Sequence, residues 1–424
     1  MRKRIFLCIC FSLFVLTSAF AATSYNITLI DVPNSTLTIA SGINNLGQIV
    51  GSYDGGPHNG DGFLLTNNTF STFSMPGNTT IDGTGGYGIN DLGQIVGWYG
   101  YGTNQSFLLS GGSYSNISPP GATDSYAYGI NDLSQIVGTA HYGVDANNNA
   151  IVRGFLLSSG TYTNIDVPGS IVTYATGINN LGQIVGYYES FDPQYGNVIS
   201  GFLFSGGTFT TFNVPGAVYT YALGINNLGQ IVGQYFNGTN GTYSAFLLSG
   251  GTFTTLNLPP DFSEPTASGI NDFGQIVGDN GNWVRQGFLA TPIISVPSFV
   301  GLLDTDAEKA ITGAWLKVGA INSAYNCNIP SGVVISQNPA AGTAVSGGTP
   351  VTLTVSLGCC PCDLNHDGKC NLKDDILFSE ALLKCLLSKG KNCSACDLNG
   401  DGKCDQTDIN IYLNSMKSGN CPCK

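Results

Sequence analysis

Two twelve-residue stretches carry the densest chemistry in the sequence: Asp363 to Asp374 reads DLNHDGKCNLKD, and Asp397 to Asp408 reads DLNGDGKCDQTD. Oxygen ligands at positions 1, 3, 5, 9 and 12, a main-chain carbonyl at 7 and a turn-making Gly at 6 are what seven-coordinate Ca2+ needs from twelve residues. Asp363, Asn365, Asp367, Asn371 and Asp374, with the Lys369 carbonyl, supply the first set. Asp397, Asn399, Asp401, Asp405 and Asp408, with the Lys403 carbonyl, supply the second. The spacing predicts two calcium ions, in sites that begin 34 residues apart.

Loops of this kind need elements to hold them, and here cysteines and helices are at hand. Of 13 Cys, 10 lie between Cys359 and Cys423, with Cys327 an outlier. In an oxidising compartment that density reads as a disulfide framework for a domain too small to hold itself together. Each loop runs into a helix-like stretch, Ile376 to Leu387 and Ile409 to Met416, with no helix before it. Loop then helix, twice, with Asp rather than Glu at position 12, resembles a type I dockerin over about residues 363–418. The resemblance implies a small α-helical calcium domain that binds a cohesin-type module on a scaffold or surface protein. The chain departs from that family at position 8, usually aliphatic and here Cys370 and Cys404. It departs again at the recognition pairs, Leu372-Lys373 and Gln406-Thr407, which differ from each other. Since position-8 residues of paired loops can face one another, a Cys370–Cys404 bridge is expected.

Upstream, the decapeptide GINNLGQIVG at Gly42 recurs from Gly88, Gly129, Gly177, Gly224 and Gly269, at spacings of 46, 41, 48, 47 and 45 residues. That is the length of one four-stranded propeller blade. In the fourth copy the strands read as Tyr174 to Asn179, Gln183 to Tyr188, Gly201 to Ser205 and Phe209 to Val214. Tyr25 to Val32 matches a fourth strand, while the sixth copy stops after its third, Gly287 to Ala290. The expected fold class is therefore mainly β: a six-bladed β-propeller with four strands per blade, in which the N-terminal strand closes the last blade and leaves no free sheet edge. The decapeptide with its GFLL strand resembles the extracellular HAF repeat family, with which no defined reaction is associated.

Connections between second and third strands vary in length and carry aromatics beside polar groups, as sugars require. Tyr53, Asp54, Tyr99, Tyr101, His141, Tyr142, Tyr187, Tyr188, Glu189, Tyr235, Phe236 and Trp283 form this candidate ligand face; the competing reading packs the same aromatics between blades. Catalytic material is thin. Only Arg153 and Arg285 are available to hold a substrate carboxylate, against the several arginines of sialidase-type propellers. Asp54, Asp61, Asp124, Glu189, Asp192, Asp261 and Glu264 could supply a carboxylate pair for a glycoside hydrolase or lyase, with nothing to single out two of them. Asp145, Asn147 and Asn149 have ligand spacing without the following Gly, and His58 and His141 stand alone in loops.

Between these regions, Val296-Pro297-Ser298-Phe299-Val300-Gly301 precedes a helix with Ala307, Ala310, Ile311 and Ala314 on one face, capped by Asp304 or Thr305. The VPxxxG opening and the ISQNPAAGT turn resemble a PASTA domain, a small α+β module whose relatives are associated with peptidoglycan.

Composition agrees with an exported, turn-rich chain. Charged residues are 10%, well below the usual share, and Gly reaches 58 of 424. Acids outnumber bases 27 to 15, and three of the bases, Arg2, Lys3 and Arg4, open a segment that reads as a secretory signal ending at Ala21. Nucleic acid is excluded as a partner by the lack of a basic patch, and no transmembrane segment is expected after cleavage. The expected organisation is signal 1–21, propeller 22–292, PASTA 293–358 and dockerin-like domain 359–424. The expected function is a secreted or surface-associated component whose calcium tail docks a propeller that binds glycan or protein. The alternatives are a docked polysaccharide-degrading enzyme and a structural envelope protein.

Overall fold

The structure, a computed structural model, describes residues 24–58, 60–77, 82–145, 149–193, 196–282, 284–326, 328–358, 361–365, 370–391 and 393–417. The signal segment, Trp283, Asn147, Cys327, Asp367 and Lys369 lie outside the described residues.

After β1 (Tyr25–Ile30), the chain repeats an antiparallel meander. The first unit is β2 (Leu37–Ile43), β3 (Ile49–Asp54), β4 (Asp61–Thr66) and β5 (Thr69–Phe73). The second is β6 (Gly83–Ile89), β7 (Ile95–Tyr101), β8 (Thr103–Ser110) and β9 (Ser113–Ile117). The third is β10 (Asp124–Ile130), β11 (Ile136–Val144), β12 (Ala150–Ser158) and β13 (Thr161–Ile165). The fourth is β14 (Val172–Ile178), β15 (Ile184–Asp192), β16 (Gly196–Ser205) and β17 (Thr208–Phe212). The fifth is β18 (Ala217–Ile225), β19 (Ile231–Asn237), β20 (Thr242–Ser249) and β21 (Thr252–Thr255). The last has β22 (Thr266–Ile270), β23 (Ile276–Asp279) and β24 (Gly287–Ser295), and β1 pairs with β24 from Tyr25↔Pro292 to Ile30↔Gly287.

The decapeptide explains how the units join. Its first Asn donates from Nδ2 to the main-chain carbonyl of the next copy's Asn: Asn44 to Asn90, Asn90 to Asn131, Asn131 to Asn179, Asn179 to Asn226, Asn226 to Asn271, and Asn271 back to Asn44, at 2.9–3.1 Å. A second circle runs from each following main-chain N–H to the next copy's Asn or Asp side chain, again returning from Asp272 to Asn45. Gly at the head of the repeat is required by proximity: a Cβ on Gly42 would lie 3.2 Å from the Gly88 Cα, and one on Gly269 would lie 3.3 Å from the Gly42 Cα. Between units, the third-strand phenylalanines Phe63, Phe107, Phe155, Phe202, Phe246 and Phe288 are fully buried. A further staple runs from Val32 N, Val167 N and Val214 N to the hydroxyls of Thr38, Thr173 and Thr220 on the following inner strand.

The leucines at the decapeptide turns are exposed: Leu46, Leu92, Leu133, Leu181 and Leu228. In the sixth copy Phe273 replaces Leu, and there the following domain sits down. That domain comprises α1 (Asp304–Gly313), β25 (Lys317–Ala324), β26 (Val334–Asn338), β27 (Ala344–Ser346) and β28 (Pro350–Ser356). β27 pairs with the end of β24, and a Cβ on Gly348 would meet the Phe273 ring at 3.3 Å. Trp315, fully buried, donates from Nε1 to Gln230 Oε1 at 2.8 Å and lies against Gly274. The helix cap differs from expectation: Leu303 occupies the cap position without a side-chain bond, and Asp304 is the first helical residue.

The tail folds around α2 (Leu372–Leu387) and α3 (Gln406–Lys417), each starting inside its calcium loop rather than after it. The rings of Phe378 and Tyr412 stack at 4.1 Å and join the two helices.

Candidate calcium centre and axial tyrosine cluster

Position 12 organises each loop. Asp374 accepts from the main-chain N–H of Leu364, Asn365 and Asn371, and Asp408 accepts from Leu398, Asn399 and Asp405, at 2.8–3.2 Å; both carboxylates are fully buried. Burial pushes the Asp408 carboxyl up, but the main-chain donors outweigh it and hold the group below its ordinary value. Position 1 works the same way, since Asp397 accepts from Gly400, Asp401 and Gly402. The result is a twelve-residue turn with hard oxygen donors throughout, which fits Ca2+ and suits no soft metal.

The expected Cys370–Cys404 bridge is wrong. Cys370 bonds Cys362 and Cys404 bonds Cys396, each pair eight residues apart, and Cys385 bonds Cys393. The loop folds back so that position 8 meets the residue just before position 1, which satisfies each cysteine within its own loop. A C-x7-C spacing repeated in both loops was the available signal. The sulfurs of Cys385, Cys396 and Cys404 cluster within 4.8 Å, but all three are consumed by disulfides.

Of the expected ligand face, most residues lie in strands and not in loops, because β11, β15 and β19 run on past the decapeptide. Alternation then splits the set. Tyr53 is buried in the core between the first and last units. Tyr142, Tyr188 and Tyr235 pack against the cores between units, and Tyr99 also packs there while donating to Asn116. Asp54 and Tyr101 are exposed at hairpin tips. His141, Tyr187, Glu189 and Phe236 fall on the other side, around the inner strands. There Tyr187 stacks on Tyr174 at 4.7 Å and meets Tyr221 edge-on at 5.1 Å. Tyr126 packs near His141 and stacks on Tyr128, which contacts Tyr87 at 4.9 Å. Phe236 stacks on Tyr219 at 5.7 Å. Burial and the neighbouring phenols push Tyr87, Tyr128 and Tyr187 well above the ordinary phenol range, and Tyr221 to about 12. Apart from Tyr187 on the second strand, this axial cluster was missed because Tyr87, Tyr126, Tyr128, Tyr174 and Tyr221 sit three or one residues before the repeat Gly, in columns that differ from copy to copy.

Three of the acids offered for catalysis, Asp61, Asp124 and Glu189, have structural partners, as has Asp145 of the ligand-spaced loop. Asp61 is buried and accepts from Ser74 Oγ, with His58 Nδ1 at 2.7 Å. A proton relay needs Ser and Asp on opposite ring nitrogens; here both meet Nδ1, so the trio clamps the β3–β4 hairpin. Asp124 accepts from Asn104 N, Glu189 from Asn197, and Asp145 from Asn149. Arg153 pairs with Asp166, and Arg285 lies 3.8 Å from Asp279.

Comparison with known proteins bears on the two C-terminal regions. Residues 294–357 match the PASTA domain model and residues 361–416 match the type I dockerin domain model, a calcium-binding family. The chain is similar to a probable serine/threonine-protein kinase of Corynebacterium efficiens, 35% identical over 86 residues, and to another of Clostridium perfringens, 32% identical over 65 residues. These alignments cover 18% and 15% of this chain but only 13% and 10% of the relatives. Among solved structures, similarity is found to a protein of unknown function from Dyadobacter fermentans, at 12% identity and TM-score 0.41, covering 64% of this chain and 98% of that one. Similarity is also found to TolB from Acinetobacter baumannii, at 13% identity and TM-score 0.36, covering 57% and 63%. Among the described residues no helix is long and apolar enough to cross a membrane.

Proposed function

We propose that the protein is a secreted or surface-associated component in which a calcium-ordered tail docks a six-bladed propeller onto a cohesin-bearing scaffold. In this reading residues 22–292 are a ring of HAF-type repeats closed by β1, residues 293–358 a PASTA spacer, and residues 359–424 a dockerin holding two calcium ions. The observation that carries it is the helix pair: α2 and α3 are fixed together by the Phe378–Tyr412 stack, and Tyr412 donates to Asp375 at 2.8 Å. Leu372, Ile376, Leu383 and Leu387 remain exposed along α2, an apolar stripe suited to a protein partner.

Capture from the source organism's envelope extract tests this, using the full chain with Ca2+ and again with chelator. A cohesin-bearing partner recovered only with Ca2+, and lost in Asp363→Ala with Asp397→Ala, is the expected result. Saturated calcium sites without any such partner would leave the tail as a structural staple and refute docking.

A further inference from the structure

We propose that the axial tyrosine cluster is a binding site for neutral carbohydrate, taking a chain end or short run of an uncharged polysaccharide at the propeller mouth opposite the Asn/Asp ring. The proposal rests on reading the repeats as a display module. It begins from where this chain spends tyrosine. Its inter-unit cores take one fully buried Phe from each third strand and admit tyrosines such as Tyr53, Tyr142 and Tyr188 beside it. Around the axis a second group of tyrosines packs ring on ring, away from those cores.

Those hydroxyls converge without being used. Tyr87, Tyr128, Tyr174 and Tyr187 carry rings packed on one another, yet none of their hydroxyls has a hydrogen-bond partner among the described residues. Tyr126 accepts from Asn104 Nδ2 at 2.6 Å, and Asn197 holds Glu189 in reach of Tyr174. Tyr87 and Tyr128 also line an axial channel of about 90 Å³, whose other walls at the same level are Ser41, Thr176, Leu223 and Ser268. A neutral phenol both donates and accepts, and its ring offers a face to C–H groups, the combination a polyhydroxylated ring requires. The raised phenol pKa values keep these groups neutral across physiological pH.

Charge narrows the class. The two arginines of this region are engaged elsewhere, with Asp166 and beside Asp279, and Glu189 stands near the cluster. A phosphate or uronic acid would meet no Arg or Lys there, only the His141 imidazole beside Tyr126 and one carboxylate, so an uncharged glycan is favoured.

The test is calorimetric titration of the full chain with cello-, xylo-, malto- and galacto-hexaose, with polygalacturonate and tetramethylammonium as anionic and cationic probes. At least one neutral hexaose should bind. Tyr87→Phe, Tyr128→Phe, Tyr174→Phe and Tyr187→Phe together should weaken it by at least 10-fold, from roughly 3- to 10-fold for each hydroxyl that meets the sugar. That variant keeps every ring, so its melting curve should match the parent's, and Tyr162→Phe, remote on β13, should bind normally. Undiminished sugar binding in the quadruple variant overturns this site while leaving the display reading intact. Preference for either charged probe overturns the ligand class, and failure of every probe overturns the site, while the docking reading is decided separately by the calcium-dependent capture.

Discussion

Opening the disulfide inside a calcium loop should weaken calcium binding out of proportion to its effect on stability. Cys362–Cys370 joins residues eight apart and spans positions 1 to 7 of the first loop, the segment whose freedom an ion must also remove. The chain-entropy relation for eight residues gives about 8.3 cal/mol/K, or about 2.5 kcal/mol at 25 °C. If all of it is expressed at the loop, calcium affinity at that site falls on the order of 70-fold. The assay is calcium titration of full-length Cys362→Ser with Cys370→Ser. Cys385→Ser with Cys393→Ser is the contrast, because that bridge has the same eight-residue separation but lies outside the loops. Both variants should lose similar stability in chelator, and only the first should lose affinity at its site. Parental affinity in the first variant, or an equal loss in the second, would refute the reasoning.

Other consequences follow from the same contacts. Deleting Tyr25 to Val32 removes the β1 partner of β24 and the Val32–Thr38 staple, so the thermal transition of the repeat region should broaden and drop, as calorimetry would register. Trp315→Ala should cost about 3–5 kcal/mol by chemical denaturation, from the lost ring and the orphaned Gln230 oxygen. Alkaline pH should destabilise the repeats. Phenols held above their ordinary value of 10.0 keep protons that the unfolded chain releases, so stability falls as pH rises past 10, through about 12 in the case of Tyr221. Melting temperature measured from pH 8 to 11 should decline above 10, and less steeply in the quadruple Phe variant.

Sequence legibility tracked how local each constraint is. Calcium ligands are fixed by spacing within twelve residues, and the strands of each unit follow from short apolar runs between turn residues. The one expected bridge, Cys370–Cys404, failed because it rested on a contact across loops, whereas the repeated C-x7-C closes each loop on itself. The residues of the expected ligand face were placed in loops because strand ends are not encoded by a breaker after His141 or Glu189. Both strands simply continue, and their period of two sends Tyr187 to the axis and Tyr188 to the core. Nothing near Trp315 announces that its partner is Gln230, 85 residues earlier. The one trace of that contact is the exchange of Leu for Phe273 in a repeat that otherwise keeps its turn.

The substitutions also orient the molecule. Decapeptide positions that build the circle of Asn and Asp bonds scarcely vary, as a contact repeated between every pair of units demands. Three residues before each repeat Gly the chain has Ile39, Gly85, Tyr126, Tyr174, Tyr221 and Thr266, and one residue before it Ser41, Tyr87, Tyr128, Thr176, Leu223 and Ser268, so the inner strands vary ahead of the decapeptide. Over Gly85 the space is taken by Trp98 from the neighbouring strand, which extends the aromatic wall without a side chain at that position. Trp315 and β27 engage the opposite end, at the turns of the fifth and sixth copies. Among the described residues the domain seated on the turns makes no contact with the tyrosine end, so in the proposed reading a docked tail would tether the ring from behind. That geometry is the one in which docking and ligand capture do not compete.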